Sequence, residues 1–84
     1  MNEFQRTINE LNKLRGEFAD NPYTKDFISQ INNSIKSIEA NDIHEVLDIK
    51  WNTNCKSLHT ILHRYVSDYD LLYAYKWNFS FISS

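Results

Sequence analysis

Residues 71–82 read LLYAYKWNFSFI, in which an aromatic side chain occupies every second position from 73 to 81. Strict alternation is typical of a strand with one buried face, and aromatic residues favour strands. Wound as a helix, the same residues would be apolar over most of the circumference. In either conformation the segment needs a covering surface, which is provided by the rest of the chain or by another molecule. The aromatic side chains expected to anchor a partner there are Tyr69, Tyr73, Tyr75, Trp77, Phe79 and Phe81.

The N-terminal part of the chain predicts a helix over residues 3–19. Apolar residues recur there at spacings of three and four, which places them on one stripe of a helix. They are Phe4, Ile8, Leu11, Leu14 and Phe18. Gly16 costs roughly 1 kcal/mol relative to Ala inside a helix, so it marks either a close approach or an early end. Asp20, Asn21 and Pro22 then stop the helix.

A second helix is predicted from Thr24, which is expected to be its cap, to about residue 40. Its apolar stripe consists of Phe27, Ile28, Ile31, Ile35 and Ile38. Because the connection between the two helices is short, we expect them to be antiparallel neighbours.

The middle of the chain allows two interpretations. Asp42, with Glu45 three residues later, resembles a capping box and predicts a third helix. Residues 46–51 also alternate between apolar and polar side chains, as in a short strand. Residues 52–54 favour a break, after which helical spacing predicts a fourth helix over residues 54–66. The polar residues at 67–70 either interrupt that helix or restart it.

The sequence therefore predicts an all-α fold, a small three- to four-helix bundle with an aromatic-rich C-terminal segment. The alternative is an α+β fold that pairs a strand at 46–51 with one at 72–82. With 84 residues, we expect a single domain over residues 1–84. One glycine and one proline leave few turns, which argues against sandwiches and barrels.

Composition and charge limit the class of partner. Nine basic and eleven acidic residues give a net charge of −2 without a basic patch, which disfavours nucleic-acid binding through phosphate neutralisation. A single cysteine and an N-terminus without a signal-peptide pattern predict a cytoplasmic protein. No apolar run is long enough to cross a membrane.

Cys55, His59 and His63 form a metal-like pattern, because they stand at i, i+4 and i+8 of the fourth helix. Adjacent members could share an ion, but the outer two are about 12 Å apart along the axis, so one Zn²⁺ cannot bind all three. We therefore expect structural roles for these side chains, and no metal or cofactor.

The sequence also predicts no enzymatic activity. It contains no nucleophile elbow, and a single glycine excludes a phosphate-binding loop or a dinucleotide fingerprint. The carboxylates are scattered among lysines and arginines, as on a solvated face.

These observations favour a small, soluble, non-catalytic interaction protein that binds and modulates a protein partner, by inhibition or protection, or that forms a homo-oligomer. Host modulators, antiholins, immunity proteins and antitoxins are of this class, and the bias toward Asn, Ile and Lys is typical of AT-rich phages and mobile elements. Two alternatives remain. One is a regulator with peripheral membrane contact through residues 71–82. The other is a helix-turn-helix regulator built from residues 42–66.

Overall fold

The computed structural model describes the backbone of residues 3–83 and the side chains of residues 4–71. Within that range the chain forms α1 (Glu3–Phe18), α2 (Lys25–Glu39), α3 (Ile43–Asn52) and α4 (Lys56–Ser83). A short 3₁₀ turn, Pro22–Thr24, lies between α1 and α2. This order of elements confirms the all-α prediction.

The helices α1 and α2 form the predicted antiparallel hairpin. Phe18 at the end of α1 contacts Phe27 near the start of α2, with the ring centroids 5.9 Å apart. Further from the connection, Arg15 donates a hydrogen bond of 2.6 Å to the side-chain oxygen of Asn32. From the first contact to the second, the residue number falls along α1 and rises along α2, so the two helices are antiparallel.

Thr24 precedes α2 but does not cap it as predicted, because its hydroxyl makes no hydrogen bond to an amide of that helix. The hydroxyl instead donates to the carbonyl oxygens of Phe18 at 2.8 Å and Asn21 at 2.7 Å. Asn21 in turn accepts from the amide of Tyr23 at 2.9 Å and caps the 3₁₀ turn. Thr24 thus fastens the connection to the end of α1.

A left-handed residue, Asn41, sets the turn from α2 to α3 with φ of 58°. Its amide donates to the carbonyl of Ile38 at 3.0 Å, and the amide of Asp42 donates to that of Ser37 at 2.8 Å. These are the two bonds of a Schellman motif. Asp42 then accepts from the amide of Glu45 at 3.2 Å, which confirms the predicted cap of α3.

Residues 46–51 lie within α3, so the α+β alternative is wrong, and no strand occurs among residues 3–83. Val46 and Ile49 are buried whereas Trp51 is exposed, so burial follows the helical spacing and not the alternation. A helix satisfies its backbone hydrogen bonds within the segment, while a strand here would have required a distant partner strand.

The fourth helix runs from Lys56 to Ser83 without a break. The predicted interruption or restart at residues 67–70 is therefore wrong. Tyr65 and Val66 are buried, and Tyr69 packs against the core one turn later, so the apolar face continues past these polar residues. The strand predicted at 72–82 falls on the α4 backbone, and its side chains lie outside the described residues.

Each helix packs against two others, because α1 and α3 both contact α2 and α4. The result is a four-helix bundle around one aliphatic core. The first predicted stripe is confirmed, with Ile8, Leu11 and Leu14 buried and its two phenylalanines packed at the edge of the core. In the second stripe Ile31 and Ile38 are buried, and Phe27 and Ile35 pack at the edge. The least exposed hydrophobic side chains are Leu11, Ile31, Ile38, Val46, Leu58 and Leu62. A Cβ at Gly16 would meet nothing within 4 Å, so this glycine marks no close approach.

Candidate functional site

Of the six predicted partner-binding residues, Tyr69 has a described side chain. It is half-buried, and its ring centroid lies 6.2 Å from that of Tyr65. Leu71, two residues later, is 69% exposed. The side chains of Tyr73, Tyr75, Trp77, Phe79 and Phe81 lie outside the described residues.

The described surface exposes two large aromatic side chains, Tyr23 on the 3₁₀ turn and Trp51 on α3. Tyr23 is 93% exposed and Trp51 is 72% exposed. Trp51 lies in a cluster, because the ammonium nitrogen of Lys50 is 4.6 Å from the centroid of its ring. The His59 ring also approaches it edge-on, at a centroid distance of 6.5 Å.

Lys50 is a residue of this cluster that the sequence does not predict. Only 6% of it is exposed, although it occupies a polar position in the alternating pattern. Its helix is covered on two sides, by α2 and by α4, and its aliphatic stem can be buried while the ammonium group lies over Trp51. The burial of Lys50 is visible in the tertiary structure, whereas the sequence pattern places it at a polar position.

His59 is held in place by the backbone of α3. Its Nδ1 atom lies 3.0 Å from the carbonyl oxygen of Lys50. Because a carbonyl oxygen can only accept, Nδ1 carries the proton, and in the neutral ring Nε2 is the atom with a free lone pair. The His63 ring stacks on His59 with a centroid distance of 6.1 Å and an interplanar angle of 16°.

Cys55 is buried, and it lines a small pocket of about 230 Å³ together with His59. It is a free thiol, 5% exposed, in the core cluster with Leu58 and Leu62. Across the described residues, no three His, Cys, Asp or Glu side chains come together as a metal site.

A second polar cluster joins α1 to α4 and was not predicted. Glu10 forms an ion pair with Arg64 and lies 3.6 Å from Arg6. The sequence pattern places Glu10 with Lys13 on a solvated face. Its pairing with Arg64, 54 residues away, could not be predicted because it depends on how α1 and α4 pack. The hydrogen bond from Arg64, aided by its charge, holds the pKa of the Glu10 carboxyl below its ordinary value of 4.5.

A groove of about 450 Å³ lies between α1 and α4. Charged side chains of both signs line it. They are Glu10, Lys13 and Glu17 from α1 and Lys56 from α4. This mixture of charges gives the groove no preference for one sign of ligand.

No known family matches this chain. Comparison with family models, with curated proteins and with solved structures found no similar protein. Among the described residues, no helix is both long enough and apolar enough to cross a bilayer. The functional interpretation therefore depends on the residues themselves.

Proposed function

We propose that this chain is a small non-catalytic protein that binds another protein and modulates it, by inhibition or by protection. The observation that carries the proposal is the density of aromatic residues in the sequence along the end of α4, which runs to Ser83. Leu71, at the start of this stretch, is a large apolar side chain that is 69% exposed.

The mode of binding that fits this proposal is a helix laid into an apolar groove of the partner. In the sequence, aromatic residues are spaced by four at positions 69, 73, 77 and 81, which is the spacing of anchors on one helical face. Tyrosine and tryptophan dominate interface energetics because they combine a large apolar area with a polar tip. The binding residues of the proposal remain Tyr69, Tyr73, Tyr75, Trp77, Phe79 and Phe81.

Glu10 is not expected to act as a general acid or base. A general acid or base works best with a pKa near neutrality, which for a carboxyl requires an upward shift. Glu10 is shifted in the opposite direction by its ion pair with Arg64. Its geometry is that of a tie between helices.

The helix-turn-helix alternative receives less support. The would-be recognition helix, α4, packs against both α1 and α3. Of its basic residues in the predicted range, Arg64 is already paired with Glu10, which leaves Lys56 among the lysines and arginines to meet phosphates. Duplex binding that weakens with salt would favour this alternative.

The experiment that tests the proposal compares the full chain with a chain that ends at Asp70. Solution mass is measured by light scattering, and thermal unfolding is followed by circular dichroism. We expect the shortened chain to unfold cooperatively near the temperature of the full chain, because it keeps every residue of the described core cluster, from Phe4 to Tyr69. Tyr23→Ala is a matched control, since it removes an aromatic ring that is 93% exposed elsewhere on the surface.

Three outcomes are informative. If the full chain is oligomeric and the shortened chain is a folded monomer, the segment is an interface between copies. If both are folded monomers, the segment is not an interface between copies. The proposal then requires that the full chain captures a partner protein that the chain ending at Asp70 does not capture. If the shortened chain loses its cooperative transition, the aromatic residues belong to the core and the proposal is wrong.

A further inference from the structure

The stacked histidines of α4 differ in exposure and in freedom. His59 is half-buried, bonded through Nδ1 to the carbonyl of Lys50 and in contact with the edge of Trp51. His63, one turn later, is exposed. One ring is therefore positioned by its surroundings, and the other is able to rotate about its side-chain torsions.

The bond to Lys50 prepares His59 for coordination. A histidine that binds a metal ion typically donates its second ring N–H to a backbone carbonyl or a carboxylate, which sets the tautomer and the ring orientation. His59 already makes this bond, at 3.0 Å, and so has Nε2 free as a ligand.

We infer that His59 and His63 form a two-histidine site for a divalent transition-metal ion. Residues at i and i+4 are neighbours on a helix, so a modest rotation of the exposed His63 ring brings a second nitrogen to the ion bound at His59. Each metal–nitrogen bond is about 2.0–2.1 Å, and water completes the coordination. Cys55 is not a ligand, since it is buried and lies about 12 Å from His63 along the helix.

The ligand set determines the class of ion. Imidazole nitrogen suits Cu²⁺, Ni²⁺ and Zn²⁺, whereas Ca²⁺ and Mg²⁺ require oxygen ligands. For a site with little geometric constraint, Cu²⁺ should bind more tightly than Ni²⁺ or Zn²⁺. Two protein ligands leave open coordination positions, so the ion would be exchangeable or shared with a partner.

The test uses Trp51 as a reporter, because its ring lies 6.5 Å from that of His59. Trp77→Phe leaves Trp51 as the remaining indole of the chain. Titration of this variant with Cu²⁺ should quench tryptophan emission and saturate at one equivalent. His59→Gln or His63→Gln should weaken binding at least about tenfold, as expected for loss of a ligand. His44→Gln is the matched control, since His44 is the third histidine of the chain and should leave binding unchanged.

Calorimetric titration of the unmodified chain with Zn²⁺ and Ni²⁺ provides a second measurement that does not depend on Trp77. The circular dichroism of each histidine variant establishes that it is folded. The inference is overturned if Cu²⁺ and Zn²⁺ show no saturable binding below millimolar concentration, or if the double variant of His59 and His63 binds as well as the parent. It is also overturned if His44→Gln or Cys55→Ala removes binding while the pair is intact.

Discussion

Gly16 has ordinary helical backbone, whereas Asn41 has left-handed backbone. We therefore predict that replacement by alanine has opposite effects on stability at these two positions. Gly16 lies inside α1, where helical backbone is accessible to every L-residue. Asn41 has φ of 58°, where an L-residue with a Cβ is strained. Replacing each by alanine should therefore stabilise the fold at Gly16 and destabilise it at Asn41.

The magnitude at Gly16 follows from its surroundings. An added methyl group meets nothing within 4 Å and lies on the exposed side of α1, so it neither clashes nor gains burial. The gain is then the helix propensity difference, about 1 kcal/mol in a helix interior. Gly16 is in the last turn, and its carbonyl accepts from Ala19 at 3.3 Å, so about half of that value is appropriate. For a domain of this size, about 0.5 kcal/mol raises Tm by roughly 2–4 °C.

At Asn41 the same substitution removes the residue type that tolerates the left-handed conformation at lower cost. We expect Asn41→Ala to lower the free energy of unfolding by about 1 kcal/mol, or Tm by roughly 4–8 °C. Differential scanning calorimetry measures both variants, and agreement of calorimetric and van't Hoff enthalpies establishes two-state unfolding. A lower Tm for Gly16→Ala would refute the placement of Gly16 in an open helical position. An unchanged Tm for Asn41→Ala would refute the Schellman turn.

Two further perturbations address the core and the ion pair. Leu62→Ala, at a fully buried position, should cost about 2–5 kcal/mol of the free energy of unfolding measured with urea, while Leu71→Ala, at a 69% exposed position, should cost under about 0.5 kcal/mol. Glu10→Gln should lower the same free energy at pH 7 by about 0.5–1 kcal/mol, because the half-exposed pair with Arg64 is lost. The pKa of Glu10 is lowered on folding, so this stabilisation is present above the ordinary pKa of 4.5 and disappears as pH falls through the lowered value. Glu17→Gln, at an exposed position of the same helix, is the matched control and should change the free energy of unfolding at pH 7 by under about 0.5 kcal/mol.

Local patterns determined the two N-terminal helices and the start of the third. The apolar stripes that include Leu11 and Ile31 recur every three or four residues, so burying them requires a helix whatever partner covers them. The cap by Asp42 is equally local, because its oxygen accepts from an amide three residues away. Such interactions can be predicted since both partners lie in one short segment.

The pattern at residues 46–51 did not decide between helix and strand. A short segment in which apolar and polar residues alternate partly matches the helical period of about 3.6 residues as well as the strand period of two. Whether it forms a helix or a strand then depends on which other elements cover it. Packing of α3 between α2 and α4 covers its helical face, which contains Val46 and Ile49. Ser67 and Asp70 were ambiguous for the same reason, since α4 buries the face that contains Tyr69 and leaves these two residues exposed.

The sequence by itself determined the two N-terminal helices and favoured an all-helical class, because these features follow from patterns within about four residues along the chain. Only the tertiary structure decided that Glu10 pairs with Arg64, that Lys50 is buried, and that a carbonyl of α3 orients His59. Each of these contacts joins residues on different helices or depends on how those helices pack. Their partners are chosen by the geometry of the bundle, which no local spacing contains.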